Sequence, residues 1–306
     1  MPPDCPVLPL GMGEGVRFYL NGARQLVGLK IKEHTRLEVL GLFGEYADMV
    51  YEIWPKTKTI EDEHGNKKTI VVGWDTAAAE EQLLRLTAAK RLWSPFQKAR
   101  GRGCWLGDDG GLVVNTGTAV LIDGKRQRPG LMGEYVMTAR EGIMTPAPLA
   151  EPGGERGVGA ELLALLQTWQ WKRPIDARLK LRLIGCRFLG AALRERPVEW
   201  DIGPRNTGKS TLQNAEADLM GGWLVALLDP TTAAIRQLLQ HDCLPVAIDE
   251  AEPDSDKENR RRLAELIKLA RMAYSGGKVA RGGSDGEPTD YVLRSAMLFR
   301  RSSCRR

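Results

Sequence analysis

An α/β fold, with a parallel sheet in the second half of the chain and a mixed α+β domain before it, is what this 306-residue sequence predicts. Three observations predict it. The first is Gly203-Pro204-Arg205-Asn206-Thr207-Gly208-Lys209-Ser210, which fits the phosphate-loop pattern G-x-x-x-x-G-K-[ST]. The second is the pair of flanks. Pro197 to Ile202 alternates apolar side chains as a strand does, and Ser210 through Leu219 has no internal Gly or Pro, as a helix requires. The third is Leu244-Pro245-Val246-Ala247-Ile248-Asp249-Glu250, an apolar run ending in two acids, with Asp249 40 residues after Lys209. Parallel strands are buried on both faces and run apolar, and they present ligand-binding groups at their carboxyl ends. Together these features predict a P-loop NTPase core.

The residue types explain the chemistry expected there. Gly203 and Gly208 let backbone N–H groups approach an anion with no Cβ in the way. The new helix turns its positive N-terminus toward the phosphates. Gly203, Pro204, Arg205, Asn206, Thr207, Gly208, Lys209, Ser210 and Thr211 are the expected nucleotide-binding residues. Lys209 serves the β- and γ-phosphates, the Ser210 hydroxyl and the Asp249 carboxylate serve Mg²⁺, and Glu250 polarises the attacking water. Lys209 and Glu250 are thus the expected catalytic pair. An Asp followed at once by Glu is similar to the acid pair of ATPases, and no Asn-Lys-x-Asp base reader occurs. ATP is therefore expected rather than GTP.

Bulk composition narrows the class. Hydrophobic residues make up 42% and charged residues 27%, which is globular rather than disordered composition. The net charge of +5 permits a nucleic-acid partner without demanding one. Cys5, Cys104, Cys186, Cys243 and Cys304 are scattered with no C-x-x-C pair, which argues against a zinc site or a disulfide framework. Met1-Pro2-Pro3-Asp4-Cys5 lacks a basic or apolar leader pattern, and no run approaches the ~18 apolar residues of a membrane span. A cytoplasmic protein with no membrane partner is the expectation.

In chain order, residues 15–30 read as a hairpin around Asn21-Gly22, with a loop longer than two residues. Residues 35–52 read as a helix capped by Thr35, although Gly41 and Gly44 interrupt its pattern. Residues 56–69 read as an exposed loop or hairpin tip, and Asp75 as the cap of a helix to about Leu92. After the basic run Lys98 to Arg102 come three short strands with Asp-Gly and Thr-Gly turns, a β-meander. That run, set among Trp93, Phe96 and Trp105, reads either as a nucleic-acid contact or as a solvated loop beside core aromatics. Pro146, Pro148, Pro152 and Gly153-Gly154 mark a linker. The predicted division is a mixed α+β domain over 1–145, a linker over 146–158, and a helical lead-in plus ATPase domain over 159–306. Within the last, 160–170 and 175–193 read as helices, Trp223 to Leu228 as a second strand, and Thr231-Thr232 as a helix cap. Residues 260–273 read as a further helix. The Gly-flanked basic loop Ser275 to Gly283 makes Lys278 and Arg281 candidates for nucleic-acid contact, and Tyr291 to Phe299 reads as a last strand.

With these residues in place, the chain resembles the C-terminal part of phage- and prophage-encoded DNA primase/helicase proteins, whose ATPase is related to superfamily 3 helicases and the AAA+ group. The resemblance rests on Pro6 to Gly11, Phe18-Tyr19-Leu20, Leu42-Phe43-Gly44, Trp54-Pro55 and Arg100-Gly101-Arg102-Gly103 with Trp105. It continues through Arg196-Pro197-Val198-Glu199-Trp200, His241-Asp242, Asp249-Glu250-Ala251-Glu252 and the Ser275-to-Gly283 loop. It implies an ATPase working on single-stranded or forked DNA, usually as a homo-oligomeric ring, in phage-type replication. It also implies a sensor residue, a further strand and an arginine finger beyond Phe299, so the ATPase is expected to be incomplete at its C-terminus. A nucleotide-binding interaction protein that does not turn ATP over is the alternative. A small-molecule kinase is a third reading, weakened because Asp249-Glu250 suits water better than an acceptor hydroxyl.

Overall fold

The computed structural model describes residues 1–61, 66–147, 157–204, 206–249, 257–282 and 288–302; of 278–282, 288–291 and 302 it describes the backbone alone. The fold is mixed α/β, with one four-stranded parallel sheet and several antiparallel ones. The chain forms two compact units: Met1–Ala99 with Gly130–Ala139, and Arg100–Pro129 with Arg140–Arg306.

The first unit opens with β1 (Leu8–Gly13), β2 (Val16–Leu20) and β3 (Leu26–Lys30), an antiparallel meander. The β2–β3 hairpin is the one expected, with residues 21–25 as its loop. The helix expected over 35–52 is instead broken into α1 (Arg36–Phe43) and α2 (Met49–Ile53). Thr35 caps α1 by accepting from the Glu38 N–H, but Gly44 at φ 59° leaves helical space and ends it. Residues expected as a loop form β4 (Pro55–Glu61) and β5 (Lys67–Trp74), whose antiparallel pairing makes them hairpin arms. Asp75 accepts from the Ala78 N–H and starts α3 (Thr76–Ala89) as expected. Tyr19, Phe43, Trp54, Trp74 and Leu83 form this unit's main core. A short α4 (Pro95–Lys98) precedes β6 (Ala99–Arg100), where the chain passes from one unit to the other.

The second unit starts with an antiparallel meander of β7 (Gly103–Leu106), β8 (Leu112–Asn115), β9 (Val120–Ile122) and β10 (Lys125–Gln127). The chain then returns to the first unit for the hairpin of β11 (Gly130–Met132) and β12 (Tyr135–Met137). The sequence boundary at 145/146 thus falls elsewhere than the observed division, because 100–129 associate with residues 241–243. Gly101 and Gly103 lie so close to Asp242 and Cys243 that a Cβ on either would collide with them. Arg102 donates to Asp242 through its backbone N–H at 2.6 Å and its guanidinium at 2.8 and 3.0 Å. Arg140 reaches the same carboxylate at 2.9 Å.

The helices α5 (Val158–Leu166) and α6 (Ile175–Leu189) lead into the parallel sheet. Its strands are β13 (Val198–Gly203), β14 (Val225–Leu228), β15 (Val246–Asp249) and β18 (Met297–Ser302), in the spatial order β13-β18-β15-β14. The helices α7 (Lys209–Met220), α8 (Thr232–Leu239) and α9 (Lys257–Ser275) connect them, with Thr231 capping α8 by accepting from Ala234 N–H. Buried Val246, Ala247 and Ile248, beside Met297, Leu298 and Phe299, make β15 and β18 the apolar centre of the sheet. Trp200 stacks on Phe299 at 4.6 Å.

The last strand differs from the expectation. Residues 291–299 do not form one strand: β17 (Pro288–Val292) pairs with β16 (Lys278–Gly282) in a separate antiparallel hairpin, and β18 begins only at Met297. Lys278 and Arg281 therefore lie on a strand arm rather than at a hairpin tip. Residues 283–287 are outside the described residues.

Candidate phosphate-binding site

The expected phosphate loop lies at the carboxyl end of β13, a parallel strand, and runs directly into α7. Gly208 at φ 78° takes the left-handed conformation that a Cβ disfavours, and α7 begins at the next residue. A Cβ on Gly203 would stand 3.0 Å from Thr207 Oγ1, so both glycines answer to close backbone approach. Asn206 is also left-handed, at φ 62°. Thr207 donates its hydroxyl to the Pro204 carbonyl at 2.9 Å, closing the loop on itself. Lys209 is folded inward: its Nζ donates to the carbonyls of Gly203 at 2.9 Å and Pro204 at 2.7 Å. Asn206, Thr207, Ser210 and Thr211 are exposed to solvent. Arg205 lies outside the described residues.

A contact missed by sequence reasoning comes from the segment between α5 and α6. The Trp169 indole N–H donates to the Gly208 carbonyl at 3.1 Å, so the lead-in rests directly on the loop. The only sequence signal was an aromatic pair, Trp169 and Trp171, in a polar turn.

A second missed feature lies under the loop strand. Alternation predicted that Val198, Trp200 and Ile202 would face the core. Instead Ile202 is 61% exposed, while Glu199 and Asp201 on the opposite face are largely covered. Lys180 and Arg187 of α6 explain the inversion. Lys180, 2% exposed, is 2.8 Å from Glu199, 2.7 Å from Asp201 and 2.5 Å from Glu216 of α7. Arg187 pairs with Glu199 and lies 2.6 Å from Glu216. Breaking such a buried cluster by removing one partner leaves an uncompensated charge, a loss of about 3–5 kcal/mol. The strand before the loop and the helix after it are therefore fastened to one helix of the lead-in.

Asp249 stands at the carboxyl end of β15, two strands from Gly203 in the sheet, with its side chain 34% exposed. Arg300 of the intervening β18, 4% exposed, places Nη1 3.4 Å from Asp249 Oδ2. Burial lowers the guanidinium's proton affinity, and the carboxylates of Asp249, Asp201 and Glu216 oppose that shift. Glu250 lies outside the described residues.

The donor set fits a magnesium–nucleotide complex in kind. Mg²⁺ takes hard oxygen ligands and is commonly held by one or two protein groups plus substrate phosphates and water. Ser210 and Asp249 offer such oxygens, and among the described residues no cluster of three or more His, Cys, Asp or Glu forms a metal cage by itself. The hairpin carrying Lys278 and Arg281 follows α9 immediately. The basic run serves the fold. Arg102 is committed to Asp242, and the Arg100 guanidinium donates to the Leu106 carbonyl at 2.5 Å and lies 5.5 Å from the centre of the Trp105 ring. His34 is buried against the Tyr19 hydroxyl at 2.8 Å, as a core histidine rather than a metal ligand. No helix among the described residues is long and apolar enough to cross a membrane.

No family model matches the chain, and no curated protein matches it. Among solved structures it is similar to the apo A form of the NrS-1 C-terminal region, at 11% identity and a TM-score of 0.35. That similarity covers 82% of this chain and 52% of the other, so the chain spans about half the length of that structure. The chain is accordingly defined by its own geometry, a mixed α/β protein with a glycine-bounded loop and an acid at the carboxyl edge of a parallel sheet.

Proposed function

We propose that this chain binds ATP with Mg²⁺ at Gly203–Thr211 and is a DNA-dependent ATPase of the primase/helicase type, a component of phage-type replication. One observation carries the reading: a G-x-x-x-x-G-K-S loop joins a parallel strand to a helix N-terminus while Asp249 ends a parallel strand of the same sheet. The backbone N–H groups of the loop and the first turn of α7 bind phosphate oxygens. Lys209, seated on two loop carbonyls, exchanges them for the β- and γ-phosphates. Ser210 and Asp249 hold the metal, which supplies charge neutralisation when bound. Glu250 takes the role of orienting and deprotonating water. Lys278 and Arg281 of the hairpin contact single-stranded or forked DNA, and the working form is a homo-oligomeric ring.

The test measures ATP binding and turnover with and without single-stranded DNA. The expected result is DNA-stimulated turnover that Glu250→Gln abolishes while ATP stays bound. Lys209→Ala removes charge-assisted hydrogen bonds of about 1.5–3 kcal/mol, so ATP affinity should fall roughly 10- to 150-fold. Binding with no turnover and no response to DNA would leave a nucleotide-binding interaction protein and sink the helicase reading.

A further inference from the structure

The carboxyl edge of the sheet contains a charged row that the nucleotide reading does not use. Asp201 and Arg300 are in register on β13 and β18. Asp249 follows on β15, one residue beyond the Ile248–Phe299 pair. Side chains in register on neighbouring parallel strands point to the same face, so acid, guanidinium and acid lie side by side. We propose that Arg300 is a positioning residue: it holds the Asp249 carboxylate as its counter-cation, so that a divalent cation binds there only together with nucleotide phosphates. The proposal rests on the reading of Gly203–Thr211 as a nucleotide site.

Three observations support it. The first is the charge balance. Glu199, Asp201, Glu216 and Asp249 bring four negative charges, and Lys180, Arg187 and Arg300 bring three positive ones. Lys180 and Arg187 serve the first three acids; Arg300 provides the cation at Asp249. A bare divalent ion approaching Asp249 meets a positive charge already in place, and at partly buried sites such repulsion is strong. A metal–triphosphate complex carries net negative charge and meets no such barrier.

The second is the looseness of the pair. At 3.4 Å the Arg300–Asp249 contact is longer than the 2.5–2.8 Å contacts of Lys180, so it is the exchangeable member of the group. The third is the other end of the guanidinium. Arg300 Nε is buried with no hydrogen-bond partner among the described residues, although nearly all buried donors have one. A guanidinium held below its hydrogen-bonding capacity gains when phosphate oxygens arrive and the metal takes over Asp249.

Mn²⁺ is the probe, because loss of the free-ion electron paramagnetic resonance signal reports binding without any turnover. The wild-type protein should bind Mn²⁺ weakly alone and at least tenfold more tightly with a non-hydrolysable ATP analogue. Arg300→Gln should bind Mn²⁺ without nucleotide at least tenfold more tightly than wild type, and Asp249→Asn in the same chain should remove that gain. Should Arg300→Gln fail to fold, Arg300→Lys, whose shorter arm reaches Asp249 less well, should show a gain of at least threefold. The proposal is overturned if wild type alone binds Mn²⁺ through Asp249 as tightly as it does with the analogue, or if the folded Arg300 variants gain nothing. Failure of the nucleotide reading is separate: it appears as an analogue that does not bind and is indifferent to Lys209→Ala, whereas the Mn²⁺ gain of the variants needs no nucleotide.

Discussion

Asp242 is the residue on which the second unit most visibly closes. Its carboxylate is buried and accepts from Arg102 and Arg140, whose side chains retain 16% and 30% exposure. Asp242→Ala removes the acceptor and leaves two guanidiniums with no carboxylate between them. The expected loss is about 3 kcal/mol, at the lower end for a broken buried pair because both arginines reach some water. Urea denaturation should show it as a lowered midpoint; an unchanged midpoint would assign the anchoring to Gly101 and Gly103 alone. Sequence inspection could pick out Arg100-Gly101-Arg102-Gly103 as unusual but not its partner, since Arg102 and Asp242 are 140 residues apart. The same limit applies to Arg300, a basic side chain near the end of an apolar run. Gly203, Lys209 and Asp249 were legible because each belongs to a local pattern whose chemistry dictates its spacing.

Among the elements, α6 does most to hold the candidate site in shape. Its Lys180 and Arg187 meet β13 and α7, the two elements that flank the loop, while Trp169 ahead of it bonds the loop itself. Trp169→Phe deletes one indole donor and should destabilise the unit by about 1 kcal/mol, the usual net worth of such a bond. More usefully, adding the ATP analogue should change the tryptophan fluorescence of the wild-type protein, and most of that change should vanish in Trp169→Phe. A change of equal size in the variant would place the reporter elsewhere, among the other tryptophans. Helices, strand order of appearance and caps at Thr35, Asp75 and Thr231 could be read from the chain because they depend on neighbours in sequence. The burial of β13 could not. Alternation names the apolar face as the inner one, but the charges on the other face are satisfied by a helix more than ten residues away. The break at Gly44 and the division of residues 291–299 follow the same rule: local pattern suggested continuity, and a left-handed glycine or a pairing partner ended it.

At the scale of the whole molecule, acid should weaken the fold through His241. Burial and the nearby Arg140 charge pull its pKa down to about 4, below the 6.5 of an exposed imidazole. The folded protein therefore binds fewer protons than the unfolded chain between those values. Stability is fully present above about pH 6.5 and declines as pH falls toward 4, by up to about 3 kcal/mol from this group. Asp242, whose carboxyl is raised by burial against the pull of Arg102 and Arg140, acts in the opposite sense and softens the loss at the acid end. Denaturation midpoints at pH 7 and pH 5 should differ in that direction, and His241→Gln should flatten the slope. The two-unit organisation was only partly legible, because proline and glycine mark where a chain is free to be a linker, whereas the strands at 103–127 are claimed by contacts far downstream. That arrangement has a consequence for biosynthesis. At about 5–20 residues per second, the ribosome needs roughly 7–28 s to travel from Arg102 to Asp242. For most of that interval the first unit already has its full complement of chain, complete once Ala139 is made, while Cys104 and Trp105 emerge without the partners that will bury them. The newly made meander is therefore the stretch of the nascent chain most in need of shielding.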